Sequence, residues 1–154
     1  MKRKHIGALL TILGILFPFF TAAKTVSKGK AIETANLFFY GNLPTKGGSG
    51  VTLEWNSRDL YPATRGASDE PAFYVFSGNG NRGFVIVAGD DIISPILGYS
   101  FSSEPSASND LPDGLRQWLG EITEHITLCR QNGATQSDAV KKEWESVAAG
   151  KIQH

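Results

Sequence analysis

Three glycines have the G-x-G-x-x-G spacing of a dinucleotide-binding loop: Gly78, Gly80 and Gly83. Such a loop needs a strand before the glycines and a helix after them, because free N–H groups in the first turn of that helix hold the pyrophosphate. Here the glycines precede residues 84–88, an aromatic and β-branched run that predicts a strand. The dipeptide Asn79-Gly80 also favours a tight turn, with positive φ at both residues. We therefore predict a β-hairpin and not a phosphate-binding site.

Two pairs of side chains have the types needed for catalysis or metal binding. His125 and Cys129 are four residues apart on a predicted helix, so they share one side of it and could form a base and a nucleophile. Cys129 also continues the apolar stripe of that helix, and we interpret it as a small buried hydrophobic residue. Asp90 and Asp91 are adjacent on an extended chain, so they point apart and are interpreted as solvated turn residues. The sequence therefore predicts no catalytic residue, no metal site and no cofactor.

The first 23 residues have the three parts of a secretory signal peptide. Basic residues at positions 2–4 precede an apolar run over residues 6–20, and small residues follow at Thr21 and Ala23. We expect cleavage after Ala23, which leaves one domain, residues 24–154, in a secreted or periplasmic protein. The apolar run is shorter than the roughly 20 residues that cross a bilayer as a helix, so an uncleaved membrane anchor is the minor alternative.

The charge and cysteine content exclude two further classes of protein. The chain has 15 basic and 15 acidic residues, and removal of the three basic residues at positions 2–4 leaves 12 against 15, a net charge of −3. This mild acidity, without a basic cluster, argues against a nucleic-acid partner. Cys129 is the only cysteine, so no intrachain disulfide can form. The fold must be held together by its hydrophobic core.

The N-terminal two thirds of the domain read as one helix followed by strands. Residues 27–40 place alanines and phenylalanines on one helical stripe, and a Gly-rich loop follows over residues 41–50. Val51, Leu53 and Trp55 alternate with polar residues, which predicts a half-buried strand. Residues 57–71 are interpreted as a long exposed connection. The hairpin strands, 72–77 and 83–89, and a further strand at 95–101 complete an antiparallel sheet, in which residues 84–88 are central and covered on both faces.

Two helices follow the strands. The first has an apolar stripe sustained over four turns: Leu115, Trp118, Leu119, Ile122, Ile126 and Cys129. The second is predicted to begin at the capping pattern Thr135-x-x-Asp138 and to bury Val140, Trp144 and Val147. This order of elements predicts an α+β fold, an antiparallel sheet of about four strands packed by an N-terminal helix and two C-terminal helices.

Residues 26–147 resemble the propeptide of streptopain-like cysteine proteases and the stand-alone Spi-type protease inhibitors similar to it. The runs that carry the resemblance are "YVF" at 74–76, "GFVIVAGDD" at 83–91, "SPILGYS" at 94–100 and the amphipathic helix from Leu115. The resemblance implies a non-catalytic domain whose partner is a streptopain-like cysteine protease. In that family the propeptide packs against the protease and displaces the loop that carries the catalytic histidine.

In that family the segment before the long helix approaches the active-site cleft of the protease. The corresponding segment here is residues 108–114, and the resemblance therefore implies six candidate contact residues: Asn109, Asp110, Leu111, Pro112, Asp113 and Gly114. Because the sequence stops at His154 without a protease domain, we expect an inhibitor that acts on a separate protease. A relic propeptide of a truncated zymogen, and a secreted folding-assistance or adhesion module with another partner, are the alternatives.

Overall fold

A computed structural model of the chain describes residues 24–41, 50–62 and 69–151. The elements in chain order are α1 (Lys28–Tyr40), β1 (Val51–Asn56), α2 (Ser57–Leu60), β2 (Phe73–Gly78), β3 (Phe84–Ala88), β4 (Ile96–Ser100), α3 (Asp113–Gln131) and α4 (Asp138–Ala148). The predicted α+β fold is confirmed. The predicted signal peptide, residues 1–23, and most of the predicted loop at 41–50 lie outside the described residues.

The four strands form one antiparallel sheet in the order β1-β2-β3-β4, with helices on both faces. Alternation along β3 sends Val85 and Val87 to the face covered by α1, where Ala31, Ala35 and Phe38 are buried. It sends Ile86 to the opposite face, where Leu119 and Ile126 of α3 are buried. The prediction that this strand is central and covered on both faces is therefore confirmed.

Strand β1 changes face along its length, which the alternating sequence pattern did not predict. Leu53 pairs with Phe76, but Trp55 pairs with Val75, so Glu54 is an extra residue that forms a β-bulge. Because the bulge adds one residue to a period of two, Val51 lies in the core under α1 while Trp55 lies in the core under α3. The prediction that both face one side was wrong for this reason.

The glycine motif forms the turn of the β2–β3 hairpin, as predicted, but the turn is longer than Asn79-Gly80. Gly78 N donates to Gly83 O at 2.9 Å, and this bond encloses a loop of four residues. Positive φ values occur at Gly80 (78°) and Asn81 (55°), one position later than the dipeptide suggested. A strand and not a helix follows the motif, so the first-turn N–H groups that would hold a pyrophosphate are absent there.

The segment 57–71 is not simply an exposed connection. It begins with the short helix α2, whose N-terminus is closed by a capping box between Asn56 and Asp59. Ser57 is buried, and its Oγ accepts a hydrogen bond from Ala72 N at 2.7 Å, which fastens the end of β1 to the start of β2. Residues 63–68 of this segment lie outside the described residues.

The last helix begins later than predicted. The N-cap of α4 is Ser137, whose Oγ accepts a hydrogen bond from Val140 N at 3.3 Å, and not Thr135. Val147 is buried, whereas Val140 and Trp144 are half-buried. Trp144 packs against the core under α1, and its Nε1 donates to Ile93 O at 2.9 Å, so α4 lies on the same face of the sheet as α1.

None of the helices formed by residues 24–41, 50–62 and 69–151 combines the length and the apolar character that crossing a membrane requires.

Gly83 and Gly80 provide a matched test of the hairpin. Both have positive φ, 86° and 78°, but a Cβ at Gly83 would lie 1.8 Å from Ser100 O, whereas a Cβ at Gly80 would meet nothing within 4 Å. Gly80→Ala should cost about 1 kcal/mol of unfolding free energy through backbone strain alone. Gly83→Ala should cost at least about 3 kcal/mol, because β4 must also move away. Urea unfolding measures both; equal losses would contradict the close approach.

Candidate functional site

The segment between β4 and α3 is irregular, yet two side-chain hydrogen bonds hold it to the body of the protein. Trp55 Nε1 donates to Ser106 O at 3.0 Å, and Arg116 Nη2 donates to Ser108 O at 3.4 Å. Within the segment, Asp110 N donates to Ala107 O at 2.9 Å and closes a turn. Trp55 is the residue that the β1 bulge turns toward this face of the sheet. The bulge therefore contributes directly to the position of the segment.

The six candidate contact residues divide into one anchor and five exposed positions. Leu111 is only 7% exposed and packs in the core beneath α3 with Trp55 and Phe73. The other five are exposed: Asn109, Asp110, Pro112, Asp113 and Gly114. Helix α3 begins within this set, with Pro112 at the N-cap and Asp113 and Gly114 in the first turn. Leu111 fixes the segment from below, and its neighbours present their side chains to the solvent.

Helix α3 supports this segment because its apolar stripe packs on the sheet. Leu119 and Ile126 are fully buried, and Leu115 and Ile122 are half-buried beside them. Trp118 belongs to the predicted stripe but is 38% exposed. The hydroxyl of Tyr61 donates to Arg116 O, which ties the first turns of α3 to the chain that follows α2. Burial raises the pKa of Tyr61 above its usual value, although Arg116 opposes this, so the hydroxyl stays a donor at neutral pH.

The interpretation of Asp90 and Asp91 as solvated turn residues was wrong for Asp90. Asp90 is 1% exposed, and its Oδ2 accepts a bond from Arg130 Nε at 2.8 Å. The Arg130 guanidinium also donates to three backbone carbonyls, at Glu70 (2.9 Å), Pro71 (3.2 Å) and Gly89 (2.8 Å). One side chain in the last turn of α3 therefore holds the start of β2 and the end of β3.

Arg130 was missed in the sequence, although a signal was present. It lies four residues after Ile126 and eleven after Leu119, so it continues the buried face of α3. A charged residue on a buried face needs a partner of opposite charge, because an unpaired charge in the interior is costly. An acidic residue at the end of a central strand is a suitable partner.

Cys129 is half-buried rather than enclosed in the core, which corrects the interpretation of it as a buried hydrophobic residue. Its Sγ lies 3.6 Å from Nε2 of His125, on the partly exposed side of α3. A cysteine nucleophile also needs its base to be oriented by a third group. In the described part of the chain no carboxylate is hydrogen-bonded to His125. Across the same residues we find no cluster of three or more histidine, cysteine or acidic side chains placed to hold a metal ion.

The sequence of this chain matches the Spi protease inhibitor family over residues 23–126. It is also 34% identical over 139 residues to the thiol protease/hemagglutinin PrtT of Porphyromonas gingivalis, a match that covers 90% of this chain and 15% of that protein. No solved structure gives a significant match. Since the family match covers well over half of the chain, the protein belongs to the Spi protease inhibitor family. Both comparisons fit a protease-inhibitor or propeptide role, and the family suggests a non-catalytic protein.

Removal of Arg130 should be among the most destabilising single changes in this fold. Arg130→Ala is expected to lower the unfolding free energy by about 3–5 kcal/mol, because Asp90 would remain as a buried charge without a partner. Arg130→Lys should recover only part of this loss, since lysine lacks the fork that reaches several acceptors. Urea unfolding measures the changes, and a double-mutant cycle with Asp90→Asn separates the ion pair from the carbonyl contacts.

Arg82→Ala is the matched control for Arg130→Ala. Arg82 is exposed and lies over the Tyr40 ring at 5.1 Å, so its removal should cost no more than about 1 kcal/mol. Similar losses for the two variants would show that the Arg130 cluster does not have the structural role assigned to it.

Proposed function

We propose that this protein is an exported inhibitor of a streptopain-like cysteine protease. The domain, residues 24–154, is released from a signal peptide by cleavage after Ala23 and acts in the periplasm or outside the cell. It binds one protease molecule and obstructs the active-site cleft with the exposed residues around Leu111. The inhibition depends on complementary shape and not on a reaction, so the inhibitor is not consumed.

The observation that carries this proposal is an exposed segment that is held in place before any partner binds. The exposed positions 109, 110 and 112–114 flank a buried leucine, and Trp55 and Arg116 hold the backbone ahead of them. Loops on a rigid scaffold are common recognition sites. A segment that is already ordered loses little conformational entropy on docking, and more of the contact energy therefore appears as affinity.

Membership of the Spi protease inhibitor family supports a protease as the partner. The relative from Porphyromonas gingivalis is described as a thiol protease, which favours a cysteine protease as the target class. The segment carries one amide and two carboxylates in a short stretch, Asn109, Asp110 and Asp113. These groups can accept hydrogen bonds from donors in a cleft built for peptide backbone.

The size of that relative favours a second candidate function. This chain spans about 15% of its length, so the matching domain there is a small part of a long protease. The same domain could therefore serve as a propeptide that is covalently joined to its protease. Mass spectrometry of the native secreted protein distinguishes the two: the inhibitor is a free chain of inhibitor size, whereas a propeptide is first made as part of a longer one.

The decisive assay is titration of an active-site-counted streptopain-like protease with the processed protein. We expect activity to fall linearly to near zero at a molar ratio of about one, with the inhibitor intact by mass spectrometry afterwards. The double variant Asn109→Ala/Asp110→Ala should raise the inhibition constant at least about tenfold, equivalent to about 1.4 kcal/mol. The bond from Asp110 N to Ala107 O is between backbone atoms, so it survives this change.

Asn132→Ala and Asp69→Ala are the controls of matching residue type, because both residues are exposed and lie outside residues 109–114. They should leave the inhibition constant unchanged. Full activity at a several-fold excess of the inhibitor, tested across streptopain-like proteases from the same organism, would contradict the proposal. Equal effects of the controls and the double variant would contradict the assignment of the contact segment.

The thiol of Cys129 should be dispensable. Cys129→Ala and His125→Ala are expected to inhibit as well as the unchanged protein, because neither residue belongs to the contact segment. The processed protein should also show no hydrolysis of peptide substrates for cysteine proteases. Hydrolysis that disappears in either variant would indicate an enzyme instead.

A further inference from the structure

The first described residues run along the turn that follows β3 and hydrogen-bond to it. Lys24 N donates to Oδ1 of Asp91 at 2.6 Å, and Asp91 N donates back to Lys24 O at 3.0 Å. Two bonds thus join the same two residues in opposite directions. The backbone nitrogen of Lys24 is held against a carboxylate and not against a carbonyl.

The residues that follow hold this arrangement in place. Thr25 forms an antiparallel bridge with Asp90, and Val26 N donates to Gly89 O at 2.9 Å. The hydroxyl of Tyr74 donates to Val26 O at 3.1 Å. Burial, with a smaller contribution from Glu70, raises the pKa of Tyr74 above its usual value, so this donor keeps its proton. The position of Lys24 N is therefore fixed by the structure around it.

Asp91 is a half-buried carboxylate without an ion pair among the described residues. Burial has the largest effect on Asp91 and raises its pKa. The backbone N–H of Lys24 lowers this pKa, the neighbouring Asp90 raises it, and the charge of Lys24 lowers it again. Among the described residues no salt bridge to Asp91 is found, whereas the charge of Asp90 is matched by Arg130. A cation at the backbone nitrogen of Lys24 would form an ion pair with Asp91 and favour its charged form.

A cavity of about 420 Å³ is lined by both Lys24 and Asp91. Its walls include Lys24, Val26, Asp91 and Trp144, so it lies between the residues that precede α1 and helix α4. The volume is sufficient for a tetrahedral ammonium group and for water molecules around the N–H bonds that do not face Asp91.

We propose that Asp91 is a binding site for the α-ammonium group of Lys24, which is created when the chain is cleaved after Ala23; this inference rests on the export step of the proposed function. Hydrolysis adds one water molecule across the peptide bond between the two residues. The water oxygen completes the carboxylate of Ala23, and the nitrogen of Lys24 gains protons to become an ammonium group. A signal peptidase is the class of enzyme that catalyses this step. The N–H that donates to Asp91 then belongs to a cation.

Cleavage thereby replaces a hydrogen bond from a neutral amide by an ion pair. Charge-assisted hydrogen bonds are about twice as strong as neutral ones. The pair is formed by a backbone nitrogen that is already in position, so it does not require the ordering of a long side chain, which weakens most surface ion pairs. Removal of the leader in this way strengthens the attachment of residues 24–26 to residues 89–91.

Most of the other charged groups around the cavity are positive and lower the pKa of this amine. Lys30 and Lys141 line the cavity with the side chain of Lys24, and positive charges lower the pKa of an amine. Lys30 is itself paired with Glu33 at 3.0 Å. Glu145 is the second carboxylate on the wall. A raised amine pKa that depends on Asp91 would therefore identify the ion pair and not the general charge of the surface.

The test uses the full-length chain, exported from a bacterial host and purified after processing. Intact mass and N-terminal peptide mass spectrometry should show Lys24 as the first residue. The pKa of the α-amine is obtained from the pH dependence of its acetylation by acetic anhydride. We expect a value at least about one unit above the usual range of about 7.7–8.0, which makes acetylation at pH 7 about tenfold slower than for an unpaired amine.

Asp91→Asn keeps the shape of the side chain and removes its charge, so the amine pKa should return to the usual range. A chain that begins at Ala23 should also give the usual range, because its ammonium group is one residue away. Asp69→Asn, at an exposed position outside residues 109–114, should leave the amine pKa unchanged. A usual pKa in the processed protein, no response to Asp91→Asn, or a first residue other than Lys24 overturns the proposal.

Protease titration of the same preparations tests the proposed function separately. A raised amine pKa without inhibition would overturn the inhibitor role and leave the Asp91 site in place. Inhibition with an amine pKa in the usual range would support the inhibitor role and overturn the Asp91 site.

Discussion

The ion pair between Arg130 and Asp90 is the interaction on which the rest of this structure depends. It connects the last turn of the long helix α3 to the end of a central strand, and the same guanidinium holds the carbonyls of Glu70, Pro71 and Gly89. Taking two charges into the interior is costly, so the pair is not justified as a source of net stability over an apolar core. The pair instead restricts geometry. The planar guanidinium can reach all of its acceptors in only one orientation of the helix on the sheet.

The position of the proposed contact segment follows from that docking. Once α3 is fixed by Leu119, Ile126 and Arg130, the residues before its first turn must lie over the edge of the α3-side core, where Leu111 is buried. The bulge in β1 brings Trp55 to the same core, and its indole holds the backbone of Ser106. An inhibitor that works by complementary shape needs such support. A disordered segment would lose conformational entropy on binding, and this loss would offset the free energy gained from its contacts.

Residues 24–26, which precede α1, bond to the same tripeptide, residues 89–91. Gly89 O accepts bonds from both Val26 N and Arg130 Nη2, at 2.9 and 2.8 Å. Asp90 forms an ion pair with Arg130 of α3, whereas Asp91 accepts a hydrogen bond from Lys24 N. Adjacent residues on an extended chain are expected to point in opposite directions in this way. The two carboxylates therefore have separate structural roles, one in attaching α3 to the sheet and the other in attaching the residues that precede α1.

The sequence by itself determined the type and order of the four strands and of helices α1, α3 and α4, because helical and strand periodicity are local properties that the printed residues carry. The four-residue helix α2 is too short to show such a period. The family resemblance was visible in the same local runs. Only the tertiary structure decided which residues meet. Arg130 and Asp90 are 40 positions apart, and the face of Trp55 depends on one extra residue that is recognisable only against the partner strand. The half-buried setting of Cys129 and the contact between Lys24 and Asp91 have the same origin, since each is settled by what packs or bonds alongside and not by the neighbours in sequence.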